Sequence, residues 1–335
     1  MKYFVTGGTG FIGSHLVRAL QAKGHSITLL ARQYPPRSLF EGMKIIQGDI
    51  TDSELIAASS KDADFIIHLA AIRDRWGIPF RDYYQVNVEG TRNVLNAAAK
   101  ANARFIYCST VGVVGHPNRR DIDETFTDRV TDGKYNYSYT KMLGENLTTN
   151  YHDEGRVKTT IVRPVITYGP GDQWGMITRL IKLLRCGRFT FIGDGRNHLH
   201  LCYISDLVEG FLQACERQNA IGETYILAGP STISLLDLVK KICDLLQVNP
   251  PKMHVPTRIA HLAGYGFELG YRMMNNIGYR KHNNSPFITR DRVDTLTIDR
   301  GFCINKAQSE IGYHPRVDYD LGLSTTLEWW QDQFL

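Results

Sequence analysis

No apolar run in this 335-residue chain approaches the ~18 residues a membrane-crossing helix needs, so a membrane span is not expected. The six cysteines, at 108, 186, 202, 215, 243 and 303, form no Cys-x-x-Cys pair and no tight cluster. That scatter points to reduced, buried thiols rather than a disulfide framework, and no metal-ligand cluster stands out, so no metal is expected. A stripe of one charge is missing too. Lysine plus arginine at 39 against aspartate plus glutamate at 34 leaves a net charge of +5, and pairs such as Arg119-Arg120 and Lys240-Lys241 stay isolated. Nucleic acid is therefore not an expected partner, whereas an anionic small ligand is compatible. There is no internal repeat and no low-complexity tract. Met1-Lys2 runs directly into Tyr3-Phe4-Val5 and a glycine turn, without an apolar leader, so a cytoplasmic location is expected.

What is present supports a large core. At roughly 150 residues per domain, the length allows about two domains or one large α/β unit. Short apolar strands alternate with helical segments through the first half: Tyr3 to Thr6, Ile27 to Leu30, Lys44 to Gln47, Phe65 to Leu69, Phe105 to Cys108 and Thr159 to Arg163. Between them, Phe11 to Lys23, Val88 to Lys100 and Tyr137 to Tyr151 read as helices. Strict alternation implies parallel pairing with crossover helices, an α/β doubly wound parallel sheet of the Rossmann kind. Residues 1–165 are expected to form this dinucleotide-binding domain, with 201–230 returning to it through Thr224 to Leu227. Residues 166–200 and 231–335 are expected to form a smaller, mixed substrate lobe. Within it Ile259 to Met274 is apolar enough to border a greasy pocket, though ordinary core packing is the simpler account.

Thr6-Gly-Gly-Thr-Gly-Phe-Ile-Gly13 lies between the first strand and the first helix, with Gly7, Gly10 and Gly13 three residues apart. Such a turn lets backbone approach a pyrophosphate, and the helix N-terminus that follows offers free N–H groups and a partial positive charge. Alone it is weak evidence. At the head of a strand–helix series it is strong.

These residues carry a resemblance to the extended short-chain dehydrogenase/reductase superfamily, near its nucleotide-sugar epimerases and its 3β-hydroxysteroid/sterol dehydrogenases. The likeness continues through Gly48-Asp-Ile50, His68-Leu-Ala-Ala71, Asn87-Val-Glu-Gly-Thr91, the Tyr137/Lys141 pair, Arg163-Pro164 and Lys306 to Pro315. It implies that Phe11 and Ile12 join the three glycines at the cofactor, and that Asp49 and Ile50 contact the adenine. Ala70, between Leu69 and Ala71, would lie along the pyrophosphate; Asn87 would brace the cofactor loops, and Pro164 would border them. The second strand ends Leu30-Ala31-Arg32 where an acidic residue would suit the ribose of NAD. A guanidinium suits a 2′-phosphate instead, so NADP is expected, with NAD the other candidate.

Tyr137-Ser-Tyr-Thr-Lys141 puts a phenol and an ammonium four residues apart on one helical face. Free tyrosine ionises near 10, and a neighbouring cation lowers it toward the range of a base. Tyr137 is thus the expected acid/base and Lys141 its partner, also placed to hold ribose hydroxyls at the cofactor. By resemblance the catalytic hydroxyl falls on Thr110, with Ser109 beside it at the substrate. Tyr168-Gly-Pro-Gly-Asp172 and Gly193-Asp-Gly-Arg-Asn197 are similar to epimerase substrate loops, with Arg196 and Arg292 as diphosphate-binding candidates. Leu199-His200 departs from the Arg-Asp those enzymes commonly carry there. A nucleotide sugar is the leading expected substrate and a 3β-hydroxysteroid or sterol the alternative; a non-catalytic NADP-sensing regulator is the reading from another class. The resemblance also implies a homodimer, paired through helices 88–100 and 137–151.

Overall fold

The computed structural model describes residues 1–73, 76–131, 135–276 and 288–334. Its strands, in chain order, are β1 (Lys2–Thr6), β2 (Ser26–Ala31), β3 (Lys44–Gln47), β4 (Phe65–His68), β5 (Arg104–Cys108), β6 (Arg119–Ile122), β7 (Thr159–Pro164), β8 (Ile166–Tyr168), β9 (Phe191–Ile192), β10 (His198–Tyr203), β11 (Thr224–Leu227), β12 (Thr232–Ser234), β13 (His254–Val255) and β14 (Arg300–Phe302). Seven of them form one parallel sheet in the order β11-β7-β5-β4-β1-β2-β3. The order reverses between β1 and β4, the switch point where such sheets hold ligands at their carboxyl ends.

The helices cover both faces. On one side α1 (Phe11–Ala22) turns Leu16, Val17 and Leu20 fully inward, each stabilising the fold by about 1.5–3 kcal/mol. On the other, α2 (Ser53–Ser60), α3 (Phe80–Tyr84), α4 (Gly90–Ala101) and α5 (Asn136–Asp153) follow, with α4 packed on both α2 and α5. The periodicity predicts a helix starting at Val88; the regular α4 starts later because a wider π-type turn, Gln85–Glu89, precedes it and carries Asn87 inward. β11 returns to the main sheet as its edge strand, and the Glu124 carboxylate accepts the outward N–H of Ile226 at 2.7 Å.

The rest of the chain supplies α6 (Met176–Arg185), α7 (Ile204–Glu216), α8 (Leu235–Leu246), α9 (Thr257–Asn276), α10 (Arg290–Thr297) and α11 (Tyr319–Phe334). Of these, α7 packs on α1 and belongs to the main sheet's cover. A second core forms around α6, α8 and α11 with the β8-β10-β12 sheet. Of two short pairs, β9-β13 lies within the lobe, and β6-β14 joins the lobe to the half that carries the main sheet. The simpler account of Ile259 to Met274 is corrected. Among the described side chains of α9 only Ala260, Gly264 and Glu268 are buried, while Leu262 is 73% exposed.

Candidate active site

The site grows from the switch point. Gly7 has φ +72°, in the left-handed region, and a Cβ there would lie 2.6 Å from the Ala70 nitrogen and 2.7 Å from the Leu69 carbonyl carbon. A Cβ on Gly13 would lie 2.2 Å from the Gly7 oxygen, so the first turn of α1 sits directly on the loop. Gly10 caps α1 and meets only the Gly7 oxygen, at 3.3 Å. Backbone N–H groups, not a capping side chain, thus open the helix. That cradle fits a dinucleotide phosphate. Phe11 and Ile12 are half-buried in that first turn. Phe11 stands edge-on to His15, whose Nε2 lies 2.8 Å from the Pro170 carbonyl, so the Tyr168–Asp172 loop is bonded to the same helix.

Beneath the turn runs one hydrogen-bonded chain. The Ala70 N–H donates to Thr6 Oγ1 at 3.4 Å, and Thr6 Oγ1 lies 2.6 Å from His68 Nδ1. His68 Nε2 lies 3.1 Å from Thr91 Oγ1, which donates its one proton to the Asn87 carbonyl at 2.7 Å. The Thr91 oxygen must therefore accept from His68 Nε2–H, which leaves Nδ1 to accept from Thr6. Burial, with the Lys141 charge adding to it, lowers His68 to about 3, so the ring is neutral. Asn87 clamps the loop after β4: Oδ1 accepts the Ile72 N–H at 2.8 Å, and Nδ2 donates to the Ile72 carbonyl and to Thr140 Oγ1, both at 3.1 Å. Thr140 in turn donates to the Asn136 and Tyr137 carbonyls. Leu69 donates its N–H to the Thr6 carbonyl, and Ala71 follows as the loop's next residue.

Tyr137 is half-buried in the first turn of α5, and Lys141 is 2% exposed one turn on. The Lys141 ammonium lies over the Tyr107 ring, 4.0 Å from its centroid. Burial lowers its pKa to about 8, against the opposing pull of Cys108 and Glu145. Thr110, at the end of β5, accepts the Gly112 N–H at 3.1 Å. That bond uses an oxygen lone pair, so the O–H remains a donor. A Cβ on Gly112 would lie 2.7 Å from Ser138 Oγ; this close approach sets the Thr110 turn against the residue after Tyr137. Thr110, Tyr137 and Lys141 are thereby brought together. One turn further along α5, Glu145 receives two 2.8 Å bonds from Arg163 and one from Arg129. Burial opposes the charge, but the Arg163 bonds outweigh it and hold Glu145 below the usual carboxylate range.

The remaining residues singled out from sequence fall in varied places. Arg32 is exposed immediately after β2. Asp49 Oδ1 accepts the N–H and hydroxyl of Thr51 at 3.0 and 2.9 Å. Ile50 is buried with its side chain against Gly90, and Pro164 is buried beside Leu227. Ser109 is 3% exposed, its hydroxyl enclosed below the surface that Thr110 reaches. Arg196 is exposed in the turn between β9 and β10. Arg292 lies on α10, which His116 Nε2 joins to the Thr110 side through Asp291 at 3.1 Å. His200, the departure from the epimerase pattern, is buried: it accepts the Phe302 N–H on Nδ1 and donates from Nε2 to the Gly229 carbonyl. Sequence reasoning missed the roles of His68, Thr91 and Glu145. A lone histidine inside an apolar strand, and a threonine one turn after Asn87, were the available signals.

The whole arrangement has counterparts. Residues 3–228 match the NAD dependent epimerase/dehydratase family, and the chain belongs to it. It is an NAD(P)-dependent enzyme. It is 27% identical to a 3-beta-hydroxysteroid dehydrogenase of Mycolicibacterium neoaurum, covering 99% of this chain and 92% of the relative. It is 28% identical to a 2-alkyl-3-oxoalkanoate reductase of Stenotrophomonas maltophilia, covering 96% and 97%. The fold matches the UDP-glucuronic acid 4-epimerase of Bacillus cereus in complex with NAD, with a TM-score of 0.79, 24% identity and 100% of both chains.

Proposed function

We propose that this enzyme moves hydride at a secondary alcohol or ketone carbon, with Tyr137 donating and accepting the proton and NADP as the preferred cofactor. The burial of Lys141 carries this reading. A lone ammonium is expensive to enclose, and here it is enclosed one helical turn from a half-buried phenol. Its charge favours the phenolate, and Thr110 offers a hydroxyl to the substrate oxygen where negative charge develops. The Asn87–Thr140 chain holds the backbone of Tyr137 in register with the loop after β4. When bound, the nicotinamide ring supplies the hydride donor or acceptor. Leu69, Ala70 and Ala71 would wall it, Asp49 and Ile50 would close over the adenine, and exposed Arg32 supports a 2′-phosphate.

For the substrate, an apolar ketone or alcohol of hydroxysteroid or alkyl-oxoalkanoate type takes precedence over the nucleotide sugar that led the sequence reading. The two relatives above support it, as does His200, a backbone clamp where a diphosphate cation would be wanted. A cavity of about 370 Å³ between the segments after Thr110 and before Tyr137 is lined by Val114, Phe126 and Val130 but also by Arg119, Asp128 and Arg129, so its wall favours neither substrate class. The nucleotide-sugar reading, as epimerase or ketoreductase, is favoured by Arg196 and Arg292 in the second lobe. Thermal-shift titration with NAD, NADP, uridine-diphosphate sugars and a 3β-hydroxysterol separates the two. NADP should stabilise more than NAD, and the sterol should add a further shift in its presence; a shift with the sugars and none with the sterol reverses the order. Tyr137→Phe should cut turnover by a factor of order 10²–10⁴ while NADP still binds. Undiminished turnover removes Tyr137 from its role.

A further inference from the structure

Helix α5 carries more than the Tyr137/Lys141 pair. Tyr137, Lys141 and Glu145 recur every four residues, so phenol, ammonium and carboxylate lie one turn apart along one side of the helix. The stripe runs inward: Tyr137 is half-buried, and Lys141 and Glu145 are each 2% exposed. Strand β5 backs it closely, for a Cβ on Gly144 would collide with the Tyr107 hydroxyl, and the Tyr107 ring is the one that Lys141 covers. The groups that face Lys141 are Tyr107 and Cys108 of β5, His68 of β4, and Tyr137 and Glu145 of α5. Burial pushes the Cys108 thiol up to about 11 and His68 down to about 3, so at neutral pH neither carries a charge. That leaves Glu145 as the negative charge beside the ammonium among the described residues.

Glu145 is held in turn by Arg163 of β7, through two 2.8 Å bonds, and by Arg129 from the segment before α5, through one; Ser109 lies beside it. The cluster thus sets three cations against one carboxylate. Arginine keeps its proton at any accessible pH and lysine does not, so a shortage of negative charge here falls on Lys141. We propose that Glu145 is a positioning residue for the reaction: its carboxylate, anchored on Arg163 and Arg129, keeps the enclosed Lys141 ammonium charged and through it holds Tyr137 in its working range. The inference rests on the acid/base reading of Tyr137 given above and extends it by one residue. A neutral amine at position 141 has no charge with which to favour the phenolate. Four residues apart on a helix, Cβ atoms are about 5–6 Å from each other, and exclusion of water strengthens the pull across that gap. Arg129 is the adjustable part: its side chain is 31% exposed against 2% for Arg163, so loosening it frees the carboxylate's charge for Lys141 without uncovering the pair.

A lysine-selective NMR titration of the full chain tests this, with the Lys141 signal assigned by its absence from Lys141→Met. In the wild type it should titrate at about 8. Glu145→Gln keeps the shape and loses the charge; it should lower that midpoint by about one pH unit or more, and Glu145→Asp should restore most of the loss. Arg129→Met should move the midpoint the other way, up by about half a unit. Loosened packing would instead carry it upward in both, toward that of a lysine in water. A midpoint that stays or rises in Glu145→Gln overturns the proposal. Should that variant not fold, a midpoint that stays or falls in Arg129→Met overturns it. Undiminished turnover in Tyr137→Phe would remove the acid/base reading instead, an outcome that leaves the Lys141 titration of the other variants unchanged.

Discussion

The half built on the seven-stranded sheet and the α9–α10 lobe treat polarity in opposite ways. Around the switch point the chain buries Lys141, Glu145, Arg163 and His68 and places Leu16, Val17 and Leu20 in the core with them. Each of these four charged or titratable side chains lies within a network or over a ring. In the lobe, α9 buries glutamate and shows leucine to solvent. The first pattern builds a site from groups that the rest of the half must hold in place. The second leaves an apolar helix face exposed among the described residues.

The largest effect that sharpens this contrast should come from Glu145→Leu. It leaves Arg163, 1% exposed, without its paired charge and should cost about 3–5 kcal/mol in chemical denaturation; a loss below 1 kcal/mol would show that the interior network is dispensable. Next comes acid. Burial holds His68 at about 3 against an ordinary 6.5, so between these values the unfolded chain takes up a proton that the folded chain refuses. Stability should fall with decreasing pH by about 1.4 kcal/mol per unit from this group, and the His68→Gln variant should lack that slope in urea titrations at pH 4.5, 5.5 and 6.5. A parallel slope in the variant would show that His68 titrates normally.

A smaller effect has the opposite sign. Lys141→Met removes a buried cation that burial already disfavours, so at pH 7 the melting temperature should rise by about 2 °C while activity is lost. A fall in melting temperature would mean that the ring contact outweighs the cost of burial. Smallest of all, Leu262→Gln should change the stability of a single copy by less than about 0.5 kcal/mol, because the side chain is already in water. A larger loss would return α9 to the class of ordinary core helices.

The two halves also differ in how far they were legible. Alternation of apolar strand and helix located six strands of the main sheet, and Thr224 to Leu227 was anticipated as the seventh. A parallel sheet buried on both faces writes its strands as short apolar runs, and glycine spacing marks the turn where backbone must come close. The Tyr137/Lys141 pair was visible because both residues lie on one helix. His68 with Thr6 and Thr91, and His116 with Asp291, were not, since each joins residues far apart in sequence. For α9, the sequence showed only an apolar segment, Ile259 to Met274, and its apolar side chains were taken as core. A repeat of 3.6 residues gives the two faces of a helix and says nothing about which neighbour each will meet.

The bond between Glu124 and the outward N–H of Ile226 has a bearing on solubility. β11 is the open margin of a seven-stranded sheet, and such a margin is a template on which foreign strands add and aggregates grow. One carboxylate covers one of its donors. Because burial raises the pKa of Glu124, that guard gives up its charge at a milder acidity than a surface glutamate would, and mild acid reaches the sheet margin through this residue.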